Sequence, residues 1–165
     1  MTSSEASSRH VGTSIAGAPI GSALLQALRA HARVGTELLT AAGVTPPHEI
    51  VLLYLAEHGP VPQTELVHYL ARDRSTVTAT LQAMERSGLV TRSPSPTDKR
   101  AMIVSMTAAG AAAAPQAQAA WEELEQRTIA GLSSAEQQEL LRLLNLVRDA
   151  LNAPATAPAA RSVPR

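Results

Sequence analysis

The sequence predicts a mainly α-helical chain with one small β-hairpin, an α+β fold in which helices dominate. Three observations carry this. Apolar residues recur at three- and four-residue steps through most of residues 20–151, the spacing of one helix face. The apolar content is 45%, chiefly Ala, Leu and Val, with three aromatics (Tyr54, Tyr69 and Trp121) and no Phe, which suits helices packed closely through small side chains. Two short strand candidates, Leu89–Ser93 and Ala101–Met106, flank a proline-rich charged loop.

The elements follow in order. Residues 1–19 are Ser, Ala, Gly and Thr with scattered charge and are expected to form a loose tail. From Ser22 to Ala42, Leu24, Leu25, Leu28, Val34, Leu38 and Leu39 mark an amphipathic helix ended by Gly43. A second helix is expected after Thr45, whose hydroxyl can cap it, with Pro46 at its first position. Ile50, Val51, Leu53, Tyr54 and Leu55 supply its buried side, and Gly59-Pro60 stops it. A short helix over Gln63–Leu70 and a longer one from Arg74 to Ser87 come next; Asp73 caps the latter at its start and Gly88 closes it in a left-handed conformation.

Along the second strand Met102, Val104 and Met106 share one face. Thr107 then caps a long helix over Ala108–Gly131. Ser133 and Glu136 form a capping box that opens a last helix to Leu151. That helix carries Leu140, Leu141, Leu143, Leu144, Leu146, Val147 and Leu151, more apolar surface than one side of a surface helix needs. Burial inside the monomer or contact with a second subunit would absorb the excess, and the similar first helix favours the second subunit. Residues 152–165, with Pro154, Pro158 and Pro164, read as a second loose tail.

Composition excludes several classes of function. Without cysteine there is no disulfide, thiol nucleophile or cysteine zinc site. No apolar run approaches the roughly 20 residues of a membrane-spanning helix, and the N-terminus lacks the pattern of a secretory signal, so the chain reads as cytoplasmic and without a membrane role. No Gly-rich phosphate loop or Ser-His-Asp arrangement stands out, so it reads as a non-enzyme that needs no cofactor. All five histidines (His10, His31, His48, His58 and His68) precede residue 70 and none forms an i, i+4 pair, which argues against a metal site.

Formal net charge is zero, but it is unevenly spread. Residues 61–107 hold Arg72, Arg74, Arg86, Arg92, Lys99 and Arg100 against Glu65, Asp73, Glu85 and Asp98, a balance of +2. Residues 108–151 hold Arg127, Arg142 and Arg148 against six acids, a balance of −3. A modest basic excess of this kind fits nucleic-acid binding and also fits an ordinary solvated surface.

Pattern is more informative than charge. In DRSTVTATLQAMERSG, Asp73 to Gly88, the residues Val77, Leu81 and Met84 form one inward stripe, while Arg74, Ser75, Thr76, Thr78 and Thr80 crowd the first two turns elsewhere. Short hydroxyls and an Arg at a helix start suit phosphate and base-edge contacts, as on the second helix of a helix-turn-helix. The hairpin that follows has Asp98, Lys99 and Arg100 at its tip. A basic tip on a two-stranded ribbon beside a reading helix makes a winged helix-turn-helix. Arg100 is placed to enter the adjacent minor groove, whose negative potential favours Arg, and Asp98 is expected to pair with its guanidinium.

The stretch PQTELVHYLARDRSTVTATLQAMERSGLVTRSPSPTDKRAMIVSMTAAG resembles the core of the MarR family of bacterial transcriptional regulators. The matching residues are Glu65-Leu66, Leu70, Asp73, Ser75-Thr76-Val77-Thr78, Glu85-Arg86, Gly88-Leu89-Val90, Arg92, Asp98, Arg100-Ala101, Val104, Thr107 and Gly110. Pro62 stands where the family usually has a Ser or Thr cap, Val67 where it has Ala and Met106 where it has Leu.

The resemblance implies an obligate homodimer. The first helix (20–44) and the C-terminal helices (108–151) would dimerise, flanking a DNA-binding domain over 45–107. It implies binding to a double-stranded, pseudo-palindromic operator with half-sites about 10 bp apart, repression as the default outcome, and release by an unknown small-molecule effector, often an aromatic or phenolic compound. Candidates for an effector pocket are His31, His48, Tyr54 and Trp121, against the plainer reading of surface histidines and a packed Trp. The rival function is a winged-helix protein-interaction module that does not read DNA sequence.

Overall fold

The computed structural model describes residues 14–98 and 100–153. Lys99 and most of the two expected tails lie outside them. The elements run α1 (Pro19–Ala41), α2 (His48–His58), β1 (Val61–Pro62), α3 (Gln63–Leu70), α4 (Arg74–Arg86), β2 (Val90–Pro94), β3 (Met102–Met106), α5 (Ala108–Ile129) and α6 (Ser134–Asn152). The fold is mainly α with a small antiparallel sheet. The chain divides into two compact units, residues 1–128 and 129–165. All of α5 but its last residue falls in the first unit.

The first unit is built on one apolar core. Val51, Leu52 and Leu55 of α2, Leu66 of α3, Val77, Leu81 and Met84 of α4, Val90 and Val104 of the sheet, and Ala114 and Ala117 of α5 are buried together. Each fully buried Leu or Val contributes about 1.5–3 kcal/mol relative to exposure, so this cluster is the main force holding α2–α4 against the sheet. On α1 and α5 small residues permit close approach: an added Cβ at Gly35 would stand 3.1 Å from the Leu124 side chain.

The expected two-stranded hairpin gains a third strand. β3 lies between β2 and β1, with Val90 opposite Met106 and Val61 opposite Val104. Two residues of β1 carry no periodicity of their own. They pair only because α2 and α3 deliver them to the free edge of β3.

Helix boundaries also show where local chemistry differs from expectation. α2 starts at His48 with no side-chain cap; Thr45 instead gives its backbone carbonyl to the His48 N–H at 2.8 Å. α3 follows Pro62, which is extended and uncapping, as its missing hydroxyl requires. Residues expected to be tail already lead into α1, where the Ile15 N–H donates to the Ser22 hydroxyl at 2.9 Å.

The start of α4 is set by Asp73. Its carboxylate accepts from the Thr76 N–H at 2.9 Å, from the Thr76 hydroxyl at 2.6 Å and from the Ser75 hydroxyl. The Ser75 hydroxyl, then the Thr76 hydroxyl and N–H, hold the Asp73 carboxyl well below the usual carboxylate range. The other end is fixed by Gly88 at φ +71° and by Thr107, whose hydroxyl donates to the Gly88 carbonyl at 2.6 Å while accepting from the Gly110 N–H at 3.1 Å.

α6 stands apart in character. Ser133 and Glu136 form the complete capping box, so it begins as expected. No residue of it is buried, and Leu141, Leu143, Leu144, Leu146 and Leu151 are exposed. Among the described residues no helix is long and apolar enough to cross a membrane.

Because Asp73 has a depressed pKa in the folded state, its contribution is present above the unfolded value of about 3.9 and is lost as pH falls through the lower folded value. Asp73→Ala should therefore lower the melting temperature at pH 7, and the gap to the parent should narrow below about pH 4. Melting curves in which the gap widens with acidity would contradict the cap.

Candidate nucleic-acid interface

α4 and the β2–β3 wing form the two walls of a groove whose floor is the start of α3. The groove has a volume of about 290 Å³ and is lined by Arg74, Thr78 and Gln82 of α4, Gln63, Thr64 and Val67 of α3, and Arg92, Arg100, Ala101 and Met102 of the wing. Three arginines and no acid line it. A zero net charge is thus compatible with a cationic cleft, because the balancing acids lie elsewhere.

On α4, Arg74, Thr78 and Gln82 recur at four-residue steps and form one stripe toward the groove, while Val77, Leu81 and Met84 face the core. The hydroxyls expected to contact DNA are largely committed within the helix. Ser75 and Thr76 donate to Asp73; Thr78 donates to the Arg74 carbonyl at 2.7 Å and Thr80 to the Thr76 carbonyl at 3.0 Å. Among the described residues the Arg74 guanidinium has no hydrogen bond or ion pair and the residue is exposed, so its fork is available to a ligand. Of the five residues expected on this helix, Arg74 and Thr78 line the groove and Ser75, Thr76 and Thr80 do not.

Gln63, Gln82 and Arg92 escaped the sequence reading as site residues. The Arg92 Nε donates to Glu85 Oε2 at 3.2 Å and its N–H to Glu85 Oε1 at 3.2 Å, which ties β2 to the last turn of α4. A third Arg92 nitrogen reaches Gln63 Oε1 at 3.5 Å, and Gln63 Nε2 donates to the Thr78 hydroxyl at 2.9 Å. A chain of hydrogen bonds thereby runs from the wing through α3 into the first turns of α4. Gln82 had a signal in the sequence, its four-residue step from Thr78; Gln63 had none, since the contact spans 15 residues.

The wing is shaped by a residue whose role was also unseen. Ser95, nearly fully buried, accepts from the Thr97 and Asp98 N–H groups, both at 3.3 Å, while its own N–H donates to the Ala101 carbonyl at 2.8 Å. Asp98 does not pair with the Arg100 guanidinium. Its carboxylate accepts from the Arg100 backbone N–H at 2.9 Å, a local turn bond that two-residue separation favours. The correction leaves Arg100 exposed, lining the groove, with no ion pair among the described residues.

The four pocket candidates are not gathered in one place. His31 lies against Trp121, ring centroids 6.0 Å apart, between α1 and α5, and the Trp121 Nε1 is buried with no hydrogen-bond partner among the described residues. Tyr54 belongs to a different cluster. It stacks between His58 at 4.1 Å and Tyr69 at 4.0 Å, and its hydroxyl donates to Glu65 at 2.6 Å, which raises its pKa to about 12. His48 lines neither, and burial at the start of α2 pushes its pKa down. No group of three or more metal-ligating side chains is assembled among the described residues.

Comparison with known proteins places this geometry. Residues 42–101 match the model of the MarR family. The transcriptional regulator HosA of Escherichia coli O111:H- is 34% identical over 114 residues, 67% of this chain and 79% of its own. Among solved structures, a MarR variant from E. coli complexed with operator DNA is 28% identical with a TM-score of 0.72, over 78% of this chain and 93% of that one. BpsR of Bordetella bronchiseptica, solved to explain regulation of its DNA binding by 6-hydroxynicotinic acid, is 25% identical with a TM-score of 0.70, over 79% of this chain and 98% of that one. With its winged helix-turn-helix, its arginine-lined groove and these likenesses, the chain belongs to the MarR family of transcriptional regulators.

Proposed function

We propose that this protein is a repressor that binds a pseudo-palindromic operator as a homodimer and releases it when a small ligand binds. The groove lined by Arg74, Arg92 and Arg100 carries the reading. α4 lies along the major groove, where Arg74 meets guanine or phosphate and Gln82 can offer an amide to adenine. Arg100 on the wing enters the neighbouring minor groove. The likeness to a MarR variant complexed with operator DNA supports operator binding, and BpsR, whose DNA binding is regulated by 6-hydroxynicotinic acid, supports ligand control.

Dimerisation is supported by exposed apolar surface. Five leucines of α6 face solvent in the single chain, and Leu28 and Ile20 of α1 are also exposed. Burying leucines of this kind at about 25 cal/mol per Å² is the simplest way to stabilise such a helix. Two reading helices about one DNA turn apart then match half-sites about 10 bp apart. In this arrangement α1, α5 and α6 serve the dimer and residues 45–107 serve DNA.

Gln63 acts here as a positioning residue. Its amide connects Thr78 on the reading helix with Arg92, which Glu85 anchors, so it sets the spacing of helix and wing without itself reading bases.

Electrophoretic shifts with genomic fragments at graded salt should show one preferred site whose affinity falls steeply as salt rises, and Arg100→Ala should weaken it by about 1–3 kcal/mol with the fold intact. Unchanged affinity in Arg100→Ala would remove the wing from the mechanism; no preferred fragment at any salt would favour the protein-interaction reading. Gln63→Ala and Thr78→Val should each weaken operator binding, and the double variant should be non-additive by about 0.5–3 kcal/mol. Strict additivity would show that the two side chains act separately. Leu141→Glu with Leu144→Glu should convert a dimer to a monomer in sedimentation equilibrium and abolish operator binding; a variant that stays dimeric would place the interface elsewhere.

A further inference from the structure

A second cavity, about 510 Å³, opens between α2, α3, β3 and the first turns of α5. Its volume suits a small organic ligand. Its walls combine an apolar floor of Leu53, Met106 and Ala114 with the rings of Tyr54 and Tyr69. Tyr69 is half exposed, so one face of its ring is open to an occupant, whereas Tyr54 is stacked between His58 and Tyr69.

The polar groups on these walls are one-sided. Glu57 is the single charged residue among them, and neither Lys nor Arg lines the cavity. The Tyr54 hydroxyl spends its proton on Glu65, leaving an oxygen that can only accept. Gln118 directs its Nε2 to Glu122 at 2.9 Å, which turns its amide oxygen into the freer end. Pro115 stands inside α5 and brings no N–H, so the carbonyl four residues back, that of Ala111, loses its helical donor; both residues line the cavity. Taken together, acceptors outnumber donors on these walls, where the Tyr69 hydroxyl and the second Gln118 N–H are the donors left. Outside the lining, His58 is stacked on Tyr54 with its Nδ1 4.0 Å from Glu57 Oε2, while Glu65 behind Tyr54 and Glu122 beyond Gln118 add acid.

An aromatic carboxylate entering here would lose its hydration and meet no cation, a costly exchange. A protonated amine would meet a carboxylate, several lone pairs and the face of an aromatic ring, which attracts cations. We propose that this cavity binds a planar arylmethylamine in its protonated, cationic form. The inference rests on the ligand-release reading for its consequence, because an occupant seated on Tyr69 bears on α3, the helix whose Gln63 holds the reading helix to the wing.

Calorimetry on the full chain, without DNA, with 2-naphthylmethylamine, 2-naphthalenemethanol and 2-naphthoate separates charge from shape. The amine should bind about tenfold more tightly than the carboxylate, with the alcohol between them. Glu57→Gln, on an exposed side chain, should remove most of that preference, and Tyr69→Ala should weaken the amine several-fold, with melting temperature checked in each. Naphthoate binding as tightly as the amine, or none of the three binding, would overturn the proposal. Fluorescence anisotropy of an operator duplex then tests the consequence separately. Amine that binds in calorimetry yet leaves the operator complex unchanged retains the cavity and sinks ligand release. Release that persists undiminished in Tyr69→Ala would mean that the amine acts on the DNA or at another site, and would also overturn the assignment.

Discussion

The Leu89 carbonyl packs against Gly110 so tightly that a Cβ there would stand 2.1 Å from its oxygen. No side chain fits that gap, and the rest of the unit is organised around it. The same carbonyl accepts from the Thr107 N–H at 3.0 Å, and the Thr107 hydroxyl spans to Gly88. Three elements therefore meet at one backbone junction: the end of α4, the end of β3 and the start of α5. The reading helix and the wing cannot move independently of α5 without breaking it. A ligand acting near the start of α5 is mechanically close to the DNA-binding surface for this reason.

Charge is arranged with similar economy. The acids near the groove are engaged: Asp73 in the cap of α4, Glu85 on Arg92, Asp98 on the backbone of the wing loop. The arginines left on the groove wall, Arg74 and Arg100, are the exposed ones, suited to phosphate and base edges. Hydroxyls near the helix start serve mainly the helix itself. A Thr that donates to a carbonyl one turn back has no proton left for a phosphate, which leaves Arg74 and Gln82 as the free donors of the α4 stripe in the proposed DNA contact.

How far the sequence could be read follows from the range of each interaction. α3, α4, the hairpin and both caps at Asp73 and Ser133 were legible because their signals act over a few residues: periodicity, a capping carboxylate, a Gly after the last turn. Expectation failed where a local option competed with another nearby. Thr45 could cap by its hydroxyl or bond through its carbonyl, and does the latter. Asp98 could reach a guanidinium or an N–H two residues on, and takes the rigid, nearby N–H. The four residues grouped as a pocket share aromatic or imidazole chemistry but sit on different helix faces, which composition does not encode.

The sequence by itself determined the helix order and the winged helix-turn-helix, because each follows from short-range hydrogen bonding and from the period of apolar residues. Only the tertiary structure decided that β1 completes the sheet, that Gln63 joins Thr78 to Arg92, and that Tyr54 and Trp121 belong to separate places. Those facts depend on residues brought together from distant parts of the chain by burial of the common core, and burial specifies contacts without leaving a local signature.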